Sequence, residues 1–186
     1  MSVAKPGEAH DSKGYPIYPG DLLRRVLFLD VDGVLNGHDY DPLAESCTIR
    51  RDCVERLNRV LDATGCEVVL SSAWRYMVLG GAMTLDGFGY LLRTHGVRNL
   101  KDRLVGVLSR DDGQADPAER GKLIVDWLMG QVGVGRIGIV DDLPIIGPGQ
   151  AHLAHYFVQT DGKAGLSDAD ADRLIAILRA PRGASG

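Results

Sequence analysis

Asp30 and Asp32 stand two positions apart in Asp30-Val31-Asp32-Gly33-Val34-Leu35-Asn36, directly behind the apolar run Val26-Leu27-Phe28-Leu29. Two carboxylates so placed repel each other unless a cation joins them, and Gly33 permits the tight turn behind them. A second acidic pair, Asp141-Asp142, ends the run Ile137-Gly138-Ile139-Val140. Such oxygen ligands suit Mg²⁺, which binds a few carboxylates, keeps waters and accepts a substrate phosphate oxygen. With the charge neutralised, one aspartate of the first pair could attack phosphorus to give an acyl-phosphate. The other could protonate the leaving alkoxide and later activate water.

Ser71-Ser72 end a further run, Val68-Val69-Leu70, and offer hydroxyl and N–H groups for equatorial phosphoryl oxygens. Arg120 and Lys122, at the start of a helical stretch, are the candidate cations to offset phosphoryl charge. Trp74 and Arg75 directly follow the serines and are expected to touch the substrate. Taken singly, these signals have plain structural readings: D-x-D-G as a turn or calcium-type loop, Ser-Ser as a cap, Asp-Asp as a cap or turn. Their order, and their shared position at the ends of buried runs, is what joins them.

The elements that must position them alternate. Short two-sided apolar runs at 26–29, 68–70, 104–108 and 137–140, with a weaker fifth at 156–158, read as strands. Between them Ile49, Cys53, Leu57, Val60 and Leu61 recur at helical spacing with Thr48 as a cap. Leu85, Phe88, Leu91 and Leu92 do the same before Gly96, as do Leu123, Ile124, Trp127 and Leu128. Ser167-Asp168-Ala169-Asp170 reads as a capping box opening a last helix with Ala171, Leu174, Ile175 and Leu178 on its face. This alternation predicts a doubly wound α/β fold, with about five parallel strands and helices on both faces. In such sheets ligands sit outside the carboxyl ends of the strands, where Asp30, Ser71-Ser72 and Asp141-Asp142 fall.

The 186 residues suit one domain: a lead-in over 1–22, a globular unit over 23–180 and a tail over 181–186. A hydrophobic fraction of 45% and a charged fraction of 25% exclude disordered, collagen-like and disulfide-stapled classes. With 25 acidic and 21 basic residues the net charge is −4, which argues against a general polyanion binder. The acids are 20 Asp and 5 Glu. The first 21 residues mix charge, Pro and Gly without an apolar core, and no run approaches the roughly 18 residues of a membrane span, so a cytoplasmic protein is expected. Cys47, Cys53 and Cys66 lack a C-x-x-C pair and indicate neither a disulfide framework nor a zinc site.

These motifs resemble the four-motif pattern of the haloacid dehalogenase (HAD) superfamily of phosphohydrolases, over about residues 26 to 178. VLFLDVDGVLN is similar to the first motif, which implies Asp30 as nucleophile and Asp32 as general acid and base, with the Asp32 main-chain carbonyl on the metal. VVLSSAWR resembles the second and implies Ser71 or Ser72 on the phosphate, Ser71 being favoured by its distance from the apolar run. ERGKLIVDWL resembles the third, pointing to Arg120 with Lys122 as the substitute, and IGIVDD resembles the fourth, implying Asp141 and Asp142 around Mg²⁺. DVDGVLN, SSAWR, RGKLIVDWL and the closing GLSDADADRLIAIL are also similar to the small HAD domains of "Swiss army knife" RNA-repair proteins. A second aspartate is what a phosphatase needs for its leaving group, whereas a dehalogenase has no alkoxide to protonate.

Gly37 to Gly65 leaves room for a loop and one crossover helix, and Tyr76 to Glu119 is mostly used by a helix and a strand, so little or no cap domain is expected. Met77 to Thr84 reads as a flap or a plain loop. An open site would admit a nucleotide, a phosphorylated nucleic-acid end or a protein side chain. Arg93, His95, Arg98, Lys101 and Arg103 form a basic stretch that could track a phosphodiester backbone, or simply a solvated surface. His152 and His155 read as helix surface rather than metal ligands, and His38 as a residue flanking the site. The expected activity is a Mg²⁺-dependent phosphatase; the competing readings are a non-catalytic phospho-ligand binding module on the same scaffold and a phosphoprotein phosphatase or phosphotransferase.

Overall fold

In a computed structural model the chain is described over residues 23–37, 49–109 and 119–180. The expected lead-in, the tail, Thr48, Cys47 and His38 lie outside the described residues. Apolar β-rich runs become strands β1 (Arg24–Leu29), β2 (Glu67–Leu70), β3 (Leu104–Val107), β4 (Val134–Asp141) and β5 (Phe157–Gln159). Between and after them lie helices α1 (Arg51–Thr64), α2 (Arg75–Leu79), α3 (Leu85–Thr94), α4 (Arg120–Met129) and α5 (Asp168–Arg179), with a 3₁₀ helix at Pro148–Tyr156.

The strands form one parallel sheet in the order β3-β2-β1-β4-β5. Successive residues of β1 serve opposite faces, as a sheet buried on both sides requires. Leu27 and Leu29 pack with α1, α3 and α5, while Val26 and Phe28 pack with Leu123, Ile124, Trp127 and Leu153 from α4 and the 3₁₀ helix. The chain winds from β1 outward through β2 to β3, then crosses back to β4 on the other side of β1. Strand order therefore reverses between β1 and β4, and a crevice opens there at the carboxyl ends.

Register sets the site. Leu29 pairs with both Leu70 and Val140, so Asp30, Ser71 and Asp141 emerge in one row. The ladder extends to that row: the Asp30 N–H donates to the Val140 carbonyl at 3.1 Å and the Ser71 N–H to the Leu29 carbonyl at 2.9 Å.

Local details refine the sequence reading. The capping box at α5 forms as expected, with the Ser167 side chain accepting from the Asp170 N–H and the Asp170 carboxylate accepting from the Ser167 N–H. At α1 the N-cap is Arg50, and no side-chain hydrogen bond caps the helix. The chain is pinned there instead by the Arg50 N–H on the Leu35 carbonyl and by its guanidinium on Asp52 and the Ala164 carbonyl. The segment expected as a flap is partly helical: α2 occupies its first part, Val78 and Met83 pack on the core, and Thr84 caps α3. Among the described residues no second domain is inserted.

Candidate active site

From Val26 to its end β1 is apolar and fully buried, so its next residue, Asp30, is carried to the sheet edge with only 2% of its surface exposed. Beyond it the chain turns back over Val31, whose carbonyl accepts from Leu35 at 2.8 Å. Gly33 takes φ +73° in that turn, and its N–H donates to Asn36 Oδ1 at 2.9 Å. A Cβ on Gly33 would lie 2.5 Å from Asp142 Cγ, so the missing side chain lets the β1 and β4 loops touch. Gly33→Ala is therefore expected to cost about 1–2 kcal/mol from the left-handed backbone alone. It should also weaken Mg²⁺ binding by displacing Asp142; thermal melts with and without Mg²⁺ check both effects.

From β4, Asp141 is fully buried, and its carboxylate accepts from the Leu143 N–H at 3.0 Å. Ligand oxygens of Asp30, Asp141 and Asp142 lie within 4.8 Å of one another. Opposite them, α4 begins with Arg120, whose guanidinium Nη1 donates to Asp141 and lies 3.3 Å from Asp30 Oδ2. Gly121 makes this approach possible, since a Cβ there would sit 2.5 Å from the Ile145 carbonyl oxygen. Lys122, one helical step away, is exposed. The structure thus places Arg120 against the aspartates and Lys122 on the solvent side of α4.

Burial pushes the Asp30 carboxyl up to about 7, with Asp141 adding to the rise and Arg120, Ser72 and the Val31 backbone opposing it. Burial raises Asp141 as well, against Arg120 and the Leu143 N–H. Arg120 is raised despite its burial, because both aspartates favour its charge. One guanidinium thus does not offset the cost of burying these carboxylates.

Three buried polar atoms in the same crevice have no hydrogen-bond partner: Asp30 Oδ1, Ser71 Oγ and Arg120 Nε. Buried polar atoms are rarely left unpaired, and these three ask for different things. The carboxylate oxygen asks for a cation or donor, and the hydroxyl and guanidinium N–H ask for an acceptor. A hard divalent cation beside a phosphoryl group answers all of them, so the donor set fits Mg²⁺. Ser72 differs from Ser71, since its hydroxyl accepts from the Trp74 N–H at 3.3 Å and bonds Asp30.

A family model for the HAD domain in Swiss Army Knife RNA repair proteins matches residues 26–171. The chain belongs to this family. Comparison with curated proteins and with solved structures gives no match. HAD domains typically use Mg²⁺, and the buried acidic cluster of this HAD domain is suited to it. No helix of the described residues is long and apolar enough to cross a membrane.

The remaining expected site residues fall differently in this HAD domain. Asp32 is not in the acidic cluster: its two carboxylate oxygens accept from the Trp74 indole N–H at 3.0 and 2.9 Å, and Oδ1 also accepts from Asn36 at 2.8 Å. Arg75 is 2% exposed, and its Nη1 donates to the Ser71 and Ser72 carbonyls at 3.0 and 2.9 Å, bracing the serine turn from behind. The basic stretch lies at the amino end of β3, the wrong end of a parallel sheet for the crevice. There Arg98 pairs with Asp62 and Arg103 donates to the Leu61 carbonyl. His152 and His155 are exposed on the 3₁₀ helix, as expected.

Sequence reasoning missed the braces on β5. Thr160 Oγ1 donates to the Gly33 carbonyl at 2.8 Å, and Gln159 Nε2 to the Asp142 carbonyl at 2.9 Å. Their signal was their place at the end of the fifth strand, the same signal that exposed Asp30 and Asp141.

Proposed function

We propose that this HAD domain is a Mg²⁺-dependent phosphomonoesterase that works through an aspartyl-phosphate on Asp30, with nucleic-acid ends or nucleotides as its substrate class. The observation that carries the reading is the trio of unpartnered buried atoms, Asp30 Oδ1, Ser71 Oγ and Arg120 Nε, around one crevice. Mg²⁺ held by Asp30, Asp141, Asp142 and the Asp32 main-chain carbonyl would neutralise phosphoryl charge and allow two anions to meet.

The Asp30 carboxylate attacks phosphorus, forming an O–P bond as the ester P–O bond breaks. The Asp32 carboxyl gives its proton to the departing alkoxide. In the second half Asp32 takes a proton from water, whose oxygen attacks the aspartyl-phosphate, releasing phosphate and restoring Asp30. The Ser71 hydroxyl and the Arg120 guanidinium hold the phosphoryl oxygens, and Arg75 keeps the serine turn in place. The RNA-repair setting named in the family description, together with the absence of an inserted domain among the described residues, supports an end of a nucleic acid as substrate.

The test is phosphate release with Mg²⁺ from nucleoside monophosphates, 3′- and 5′-phosphorylated oligonucleotides, sugar phosphates and phosphopeptides. Turnover should be highest on oligonucleotide ends or nucleotides, should vanish in EDTA and should return with Mg²⁺. Binding without turnover across all substrates would favour the non-catalytic module, and selective release from phosphopeptides the phosphoprotein phosphatase.

A further inference from the structure

Trp74 follows the phosphate-binding serines, a position that would suit a platform for a substrate base. The geometry assigns it another task. Its indole N–H bisects the Asp32 carboxylate, 3.0 Å from Oδ1 and 2.9 Å from Oδ2. Asn36 donates to Oδ1 at 2.8 Å from the other side and is itself fixed by accepting the Gly33 N–H.

The indole is anchored in turn. Its ring meets Phe88 edge-on, centroids 6.0 Å apart and planes at 73°, and Phe88 is fully buried in the core. Its backbone N–H bonds Ser72 Oγ, within the turn that Arg75 braces. Asp32 is thus tied through one side chain to the β2 loop and the α3 core. Half-buried and packed at its edge, Trp74 is held as part of the site's wall.

We propose that Trp74 is a positioning residue that fixes the Asp32 carboxyl for proton transfer, and is not a stacking surface for substrate. The inference rests on the reading of Asp32 as the general acid and base. An indole N–H donates only, so it cannot relay the proton; it orients the carboxylate that remains after the proton has left. Phe at this position would keep the contact with Phe88 and remove the donor.

The test separates proton transfer from other steps by leaving group. An alkyl phosphate needs its departing alkoxide protonated, whereas p-nitrophenolate leaves unaided. Asp32→Asn should slow alkyl phosphate hydrolysis by about 100-fold or more, and Trp74→Phe by about tenfold, with a much smaller loss in the pre-steady-state burst of p-nitrophenolate, the one step that needs no proton to or from Asp32. In the double variant the Trp74 effect should vanish, because Trp74 acts only through Asp32. Equal losses in alkyl phosphate hydrolysis and in the p-nitrophenolate burst, a raised KM with unchanged kcat, or effects that multiply in the double variant would overturn the inference.

A second readout needs no turnover. In the ¹⁵N-labelled protein, one of the two tryptophan indole N–H signals should move upfield on Asp32→Asn; if neither moves, the contact is absent and the inference is wrong. If Asp32→Asn leaves alkyl turnover intact, the reading of Asp32 fails and takes the inference with it. If Asp32→Asn is slow while Trp74→Phe matches wild type, only the inference fails.

Discussion

Replacing Asp30 by Asn is expected to lower phosphate release by about 10⁴-fold or more, the order seen when one member of a tightly coupled catalytic set is removed, without weakening the metal-free fold. The first half follows from chemistry, since an amide oxygen does not form the acyl-phosphate. The second half follows from burial. Asp30 holds its proton up to about pH 7 in the folded chain, against 3.8 for the ordinary carboxyl. Between those values the unfolded chain releases a proton that the fold retains, so stability falls as pH rises through that window, and above 7 the whole cost is present.

The neutral amide of Asp30→Asn carries no such cost. At pH 8 in EDTA the variant should melt at the same temperature as wild type or higher, and the gap should shrink by pH 4. Saturating Mg²⁺ should reverse the order, because ligand binding to the folded state stabilises only the protein that retains the ligand set. Melting curves at both pH values, with and without Mg²⁺, decide the point; a variant that melts lower in EDTA at pH 8 would show that Asp30 stabilises the fold.

Arg120→Met carries the second largest expected effect. The Arg120 side chain is 6% exposed and stands against two carboxylates that are 3% and 0% exposed. Removing one member of such a buried set leaves uncompensated charge and costs about 3–5 kcal/mol. The loss should be largest in EDTA above pH 7, where Asp30 is ionised, and partly recovered in Mg²⁺, whose charge replaces that of the guanidinium. Turnover should drop by about 10²–10³-fold, the usual effect of removing one donor to the developing charge. Arg120→Lys keeps the charge but not the planar fork, so it should fall between wild type and Met. Lys122→Ala, on the exposed side of the same helix, should change stability by less than about 0.5 kcal/mol. An inactive Lys122→Ala with an intact Arg120→Met would reverse the assignment.

Arg120 and Lys122 also show where sequence reading stops. They are two apart on α4, so about 200° separates them around the helix and only one can face the sheet. The motif made both candidates, and the contact between Gly121 and the Ile145 carbonyl chooses Arg120. Their place directly behind the serines likewise marks Trp74 and Arg75 together as substrate contacts. Arg75 instead braces the Ser71 and Ser72 carbonyls, and the Trp74 indole bonds Asp32. Four aspartates expected in one pocket resolve into a cluster of Asp30, Asp141 and Asp142, with the Asp32 side chain held outside it.

The alternation of buried strands and amphipathic helices, the parallel sheet, and the acidic and hydroxyl residues at its carboxyl edge are legible in the residues alone. Those features are local, because burial on one or two faces imposes a period that neighbouring residues must obey. Which partners meet is set by the folded chain. Levelling Asp30, Ser71 and Asp141 depends on strand register, and their crevice on the reversal of strand order between β1 and β4. The braces from Thr160, Gln159 and Trp74 join loops 127, 17 and 42 residues apart, and no periodicity within one segment records a hydrogen bond made to another.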